Sequence, residues 1–333
     1  MSFQRRRLSL WIVPLALLAL APATPRPSID SVLDALDQVR SFRSTAVSPD
    51  GRRVAYVERI RGRDGNEELS AVDVVAVGAA PSSSKRFTAA ADARAHRERD
   101  PAWSPDGRLL AFASDAKKER QLQIYVQPAA GGPARRLTNV EGQVSHLRWS
   151  PDGRSIAFLF VSGSTQEPGA LVAYRPDAGV VEETIEEQRI AVVDVASGRV
   201  REVSPANLYV YDYDWSPDGK SLAAEAAEGS GTNNYWIAQL YVVRADSGRA
   251  RSIWKPPLQI ACPRFSPDGK AVAVIHGIMS DEGSTGGDIW LVPVDGGTPR
   301  NVTPEIASSP SAIFWRTGGE ILFTEHVDGG SAV

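Results

Sequence analysis

The chain has 333 residues, 42% of them hydrophobic and 23% charged, with a formal net charge of −3. That is ordinary globular composition, enough for one large domain or two smaller ones, and it excludes a disordered tract. No basic excess is present to neutralise a phosphate backbone, so nucleic acid is excluded as a partner, and the single cysteine, Cys262, excludes an intramolecular disulfide.

The amino terminus reads as a targeting segment. Arg5, Arg6 and Arg7 precede an apolar run from Leu8 to Leu20, and Ala21-Pro22-Ala23 forms an A-x-A cleavage pattern. The run is short for a membrane span and is broken by Pro14. An uncleaved anchor is the alternative; no cysteine follows to carry a lipid. The expectation is a signal peptide over residues 1–23, an exported protein, periplasmic or secreted, and no stable membrane span after cleavage. Residues 24–47 are predicted to form a linker with one short amphipathic helix, with Ser28 as N-cap and Ile29, Val32, Leu33, Leu36 and Val39 on one face.

From there an internal repeat dominates. S-P-D-G begins at Ser48, Ser104, Ser150, Ser216 and Ser266, and a worn sixth copy, FWRTGGEILF, carries Arg316 in the serine position. The spacings, 56, 46, 66, 50 and 50 residues, suit a four-stranded propeller blade with variable loops. An aromatic residue precedes most copies: Trp103, Trp149, Trp215 and Phe265. Ser-Pro opens a turn, aspartate bonds backbone amides, and glycine supplies the positive φ that closes a hairpin. Alternating apolar residues follow (Ile156, Phe158, Phe160), then a second strand signal such as QLQIYVQP or GDIWLVPV, then a Gly-rich turn into another short strand. The unit is therefore strand, SPDG turn, strand, variable loop, strand, Gly turn, strand. The prediction is an all-β propeller over residues 48–333 with about six blades, the last incomplete. The variable loops should gather on one face and offer a contact surface.

Little local chemistry is written in the sequence. No serine has glycine at both positions of G-x-S-x-G; Ser284 and Ser331 are near misses. His96, His146, His276 and His326 show no zinc spacing. Cys262, just before Pro263, reads as a small buried hydrophobe ahead of a strand. DYDWSPDG at 212–219 lacks the glycine and glutamate of a calcium loop. No phosphate-loop or dinucleotide motif is present, so no cofactor and no metal are expected. Glu182, Glu183, Glu186 and Glu187 form an acidic run that reads as a solvated face, or alternatively as a carboxylate pair holding a cationic group such as a peptide amino terminus.

The opening VLDALDQVRSFRSTAVSPDGRRVAYV and the units PAWSPDGRLLAFAS, QIYVQPAAGGPARRLT and DIWLVPVDGGTPRNVT resemble the prolyl oligopeptidase family of serine peptidases, above all its dipeptidyl aminopeptidase and acylaminoacyl-peptidase branch. The resemblance runs from about Ser28 to the end. It implies an N-terminal propeller that gates and seats peptides for a C-terminal α/β-hydrolase domain of the same full-length protein. The serine, aspartate and histidine would lie in that domain, and the sequence given stops within the sixth unit before reaching it, so no catalytic residue carries over. Glu182 and Glu183 would be the substrate-amine ligands of that family's dipeptidyl peptidases, although the surrounding motif is not matched. A non-catalytic periplasmic binding module, similar to the propeller protein of the Tol system, is the alternative; that family places a separate domain before its propeller. A lactonase-type propeller would need a central metal site.

Overall fold

The computed structural model describes residues 28–37, 39–61, 68–91, 96–164, 187–229, 232–316 and 319–333. The signal-type segment, Glu182 and Glu183 lie outside the described residues. The chain divides into two units, Met1–Arg40 and Ser41–Val333. In the first, α1 (Ile29–Asp37) begins where the Ser31 amide donates to Ser28 Oγ at 3.1 Å, the N-cap bond that the sequence suggests.

The second unit is a β-propeller of six antiparallel meander sheets. Blade 1 holds β1 (Phe42–Val47), β2 (Arg53–Arg61), β3 (Glu68–Ala76) and β4 (Lys85–Phe87); blade 2 holds β5 (Glu98–Trp103), β6 (Leu109–Ser114), β7 (Gln123–Pro128) and β8 (Arg135–Arg136). Blade 3 holds β9 (Gly142–Trp149), β10 (Ser155–Ser162), β11 (Arg189–Asp194) and β12 (Val200–Glu202). Blade 4 holds β13 (Leu208–Trp215), β14 (Ser221–Glu228), β15 (Gln239–Arg244) and β16 (Ala250–Trp254). Blade 5 holds β17 (Gln259–Phe265), β18 (Ala271–Gly277), β19 (Asp288–Pro293) and β20 (Arg300–Asn301). Blade 6 has three strands, β21 (Ser309–Trp315), β22 (Ile321–Val327) and β23 (Gly330–Ala332). The first sheet opens at Phe42, ahead of Ser48, because every SPDG turn joins a first strand to a second and so needs a strand before it.

The turn chemistry repeats atom for atom. In blade 3 Ser150 Oγ donates to Asp152 Oδ1 at 2.6 Å and accepts from the Ser155 amide at 3.0 Å, while Asp152 Oδ1 accepts from the Arg154 amide at 3.0 Å. Blades 1, 2, 4 and 5 repeat the set. The hydroxyl bond, then the amide bond, hold Asp152 below the usual carboxylate range. Gly153 sits at φ 69°, and a Cβ built there would lie 3.7 Å from Pro105 Cδ of the preceding turn. The turns thus stack blade upon blade along one face. The meander then places the strand ends that bound the second-to-third strand loops on the opposite face.

The core sits between blades. One buried cluster joins Leu159, Ile190 and Val192 of blade 3 to Val210, Tyr213, Leu222 and Ala224 of blade 4; equivalent clusters fill the joints of blades 1–2, 2–3, 4–5 and 5–6. Middle strands are therefore apolar on both sides, as in SIAFLFVS, rather than cleanly alternating. The aromatic residue before each turn closes the joint. Trp103 Nε1 donates to Ala46 O at 3.1 Å, Trp149 Nε1 to Ala102 O at 2.9 Å, Trp215 Nε1 to Arg148 O at 3.1 Å, and Trp315 Nε1 to Arg264 O at 3.0 Å. Each indole thus satisfies its N–H on the preceding blade while burying its ring. Phe265 has no such proton, and the joint of blades 4 and 5 lacks this latch.

Candidate functional site

The first strands of successive blades are neighbours, so β1, β5, β9, β13, β17 and β21 line the axis. All six pairings of a first with a second strand shift register through a bulge before the aromatic position. A bulge bends the strand and re-aims a side chain. Asp100, His146 and Cys262, each four residues before its turn serine, take positive φ of 54°, 55° and 55° at these bulges. The same position holds Ser44 in blade 1 and Asp212 in blade 4. The axis is therefore lined by polar side chains that a regular strand would aim differently.

Blades 3, 4 and 5 are tied there by charge. Arg264 Nη1 donates to Asp212 Oδ2 at 2.9 Å, and Arg148 Nη2 donates to Asp212 Oδ1 at 3.3 Å. Arg148 also lies 4.0 Å from Asp214, whose Oδ2 accepts from the Phe265 amide at 2.9 Å. Burial opposes the charge on Asp212, but Arg264 and Arg148, with help from His146, hold its carboxyl well below the usual range. The Asp214 bond to the Phe265 backbone and the Arg264–Asp212 pair stand where an indole latch stands at the other joints.

Above this network, toward the loop face, lies a cavity of about 370 Å³. Its walls include Asp212 and Tyr211 of β13, Glu225 of β14, Cys262 of β17 and Tyr235 from the 3-10 turn Thr232–Ile237. Glu282 and Ser284 come from the β18–β19 loop, which is anchored where the Met279 amide donates to Gln259 Oε1 at 3.2 Å. Tyr209, Tyr211, Tyr235, Ala227 and Ala238 pack as one buried group that seats the 3-10 turn.

Glu225 is the unusual wall. It is 5% exposed and stands directly across the β13–β14 pair from Asp212. Two carboxylates opposed on adjacent strands repel, and burial disfavours either charge. Asp212 has two arginines and stays ionised. Burial first, then the charges of Asp212 and Glu282, push the Glu225 carboxyl well above its usual range, with Arg264 opposing and no hydrogen bond contributing. Burial likewise raises Glu282 and Glu187. Among the described residues Tyr235 Oη and Glu187 Oε2 are buried without a hydrogen-bond partner. Burial, and then the charges of Tyr209, Glu282, Glu225 and Glu187, raise the Tyr211 hydroxyl.

The residues singled out in the sequence are dispersed. His96 Nδ1 lies 3.7 Å from Asp115 at the second blade. His276 is held between Trp254 and Trp290, with ring centroids 4.9 and 5.2 Å away. His326 Nδ1 is 3.4 Å from Ser331 Oγ on an exposed hairpin. Ser284 Oγ donates to Asp281 O, closing a loop turn, while lining the cavity. Cys262 lies inside β17 rather than ahead of a strand, and burial pushes its thiol up to about 11, which leaves it a poor nucleophile. Of these, His146, Cys262 and Ser284 meet at the cavity, whereas Glu225, Tyr211, Tyr235 and Glu282 escape sequence reasoning. One signal for Glu225 exists. Six residues after the turn glycine, the other complete copies hold Val57, Ala113, Leu159 and Ile275, all at most 1% exposed. Glu225 is the one acid in that series.

No family model matches the chain. In sequence it is similar to a Bacillus subtilis protein described as an uncharacterized peptidase, YuxL, at 29% identity over 213 residues, which are 58% of this chain and 30% of that protein. The chain thus spans less than a third of the curated relative it matches. In fold it is similar to the Pyrococcus horikoshii acylaminoacyl peptidase, with TM-score 0.62 and 14% identity, over 89% of this chain and 44% of that one. It is also similar to a putative TolB from Agrobacterium tumefaciens, with TM-score 0.53 and 21% identity, over 79% of this chain and 80% of that one. Among the described residues no helix is long and apolar enough to cross a membrane. With a peptidase as its curated relative and a peptidase propeller among its structural neighbours, the chain resembles the N-terminal propeller portion of the prolyl oligopeptidase family of serine peptidases.

Proposed function

We propose that this chain is the propeller portion of an exported serine peptidase, and that it gates and seats peptide substrates for a C-terminal α/β-hydrolase domain of the full-length protein. The sequence match to the curated peptidase carries the reading. The hydrolase domain would cleave by serine attack with histidine as base, through an acyl-enzyme. A propeller with a polar, charge-lined axis suits the complementary task of admitting and orienting an extended peptide. Glu182 and Glu183, between β10 and β11 in the chain, belong to this reading as ligands of the substrate amine.

The test is to read the gene through residue 333, express the full reading frame and treat it with a fluorophosphonate probe. One labelled serine within a G-x-S-x-G elbow beyond residue 333, with hydrolysis of chromogenic dipeptides, is expected. A full-length protein that takes no label and cleaves nothing overturns it. The second reading, a non-catalytic exported binding module, is favoured by coverage of 80% of the putative TolB chain, and a reading frame closing at residue 333 would select it.

A further inference from the structure

We propose that the cavity at the loop-face end of the axis, walled chiefly by blades 4 and 5 and reached by His146 and Gln188 of blade 3 and Ser311 of blade 6, is a binding site for an organic cation, an alkylammonium or guanidinium group, with Glu225 as its counter-ion. Glu225 is 5% exposed and lines the cavity; among the described residues no hydrogen bond contributes to its carboxyl, and the nearby Arg264 is paired with Asp212. A buried polar group left without a partner costs on the order of 1–3 kcal/mol, so a site that keeps one is poised for something that completes it. Among the described residues Tyr235 Oη is a buried group without a hydrogen-bond partner on the same wall. Asp212, by contrast, is engaged by Arg148 and Arg264 and is not available.

The chemistry selects the occupant. The lining carries four carboxyl groups, Asp212, Glu225, Asp281 and Glu282, beside the phenols of Tyr211 and Tyr235, with His146, Gln188, Cys262 and Ser284 among the remaining polar groups. Four carboxyl groups against one imidazole disfavour an anion. Among the described residues no group of three or more histidine, cysteine, aspartate or glutamate side chains is disposed to hold a metal ion. Two of the walls are aromatic: Tyr211 and Tyr235 meet edge to face at 6.5 Å. Carboxylate beside aromatic faces is the environment that recognises an organic cation. A volume of about 370 Å³ suits one basic side chain or one amino terminus rather than a folded partner. Entry of the cation converts the neutral Glu225 carboxyl to carboxylate and releases its proton to solvent, so charge inside the cavity stays balanced.

This inference concerns the chain alone and stands whether or not a hydrolase domain follows. Calorimetric titration of the 333-residue protein with N-acetylarginine amide, its neutral isostere N-acetylcitrulline amide, and glycylglycine amide tests it. The expected result is binding of a cationic ligand at least tenfold tighter than the citrulline derivative, with proton release seen as a dependence of the heat on buffer ionisation enthalpy. N-acetylarginine amide reports a basic side chain as the source of the cation and glycylglycine amide a peptide amino terminus; either establishes the site. E225Q should weaken binding at least tenfold with an unchanged circular dichroism spectrum, and Y235F about threefold. Absence of binding by both cations, equal binding of citrulline, or native affinity in E225Q overturns the proposal. None of these outcomes bears on peptidase activity, which the fluorophosphonate experiment reads separately.

Discussion

The joint of blades 3 and 4 and the joint of blades 4 and 5 are built from the same repeat and differ in kind. The first is closed by the Trp215 latch over a large apolar cluster. The second has Phe265 at the latch position and Glu225 where its sister blades carry Val57, Ala113, Leu159 and Ile275. A buried acid stands there where an apolar residue closes the other joints. Where the repeat is kept, the propeller holds itself together. Where it is broken, a cavity with unsatisfied polar groups appears. Charge pairing between Arg264 and Asp212, and the Asp214–Phe265 amide bond, offset the missing latch.

The largest way to break this contrast is Arg264→Ala. It removes one of the two arginines that engage Asp212, and loss of one member of a buried pair costs about 3–5 kcal/mol. A urea midpoint within error of the parent would refute the claim that charge closes the 4–5 joint. Asp152→Ala removes an acceptor that serves both Ser150 Oγ and the Arg154 amide, and should cost about 1–2 kcal/mol, with no change in cation binding at the distant cavity. Trp215→Phe deletes one indole donor, turns the 3–4 joint into a likeness of the 4–5 joint and should cost about 1 kcal/mol; a larger loss would mean that the ring's packing rather than its proton is the latch.

The smallest effect is a pH dependence. Glu225 is faced by Asp212 from β13, Glu282 from the β18–β19 loop and Arg264 from β17, and its folded carboxyl titrates above its unfolded value. The folded state therefore holds that proton more tightly. The resulting stability is present in full below the unfolded value near 4.5 and is lost as pH rises through the folded one. Unfolding free energy of the parent minus that of Glu225→Gln, measured by urea titration from pH 4 upward, should fall over that window; a flat difference would show that Glu225 is not held neutral.

Much of this architecture is legible in the sequence because it is local. Ser, Pro, Asp and Gly each have a fixed task in a tight turn, and repetition of the set announces the blade, its length and its four-strand order. The site was not legible. The six bulges arise from packing first strands around an axis, and nothing in WSPDG reports them. The partners of Asp212 stand 64 and 52 residues away, in the neighbouring blades. The acidic run at 182–187 drew attention by its density, whereas Glu225 is a single acid inside SLAAEAAE, visible only when the blades are aligned on their glycines and compared.

The most direct measurement restores the repeat at the place where it is broken. Glu225→Leu puts the apolar residue of blade 3 into blade 4, and replacing a buried ionisable group by a hydrophobe of similar volume is often neutral or stabilising. If the cavity serves binding rather than folding, this variant should melt at or above the parent temperature and lose calorimetric binding of N-acetylarginine amide and glycylglycine amide. A variant that melts well below the parent and still binds a cation with native affinity would contradict the account.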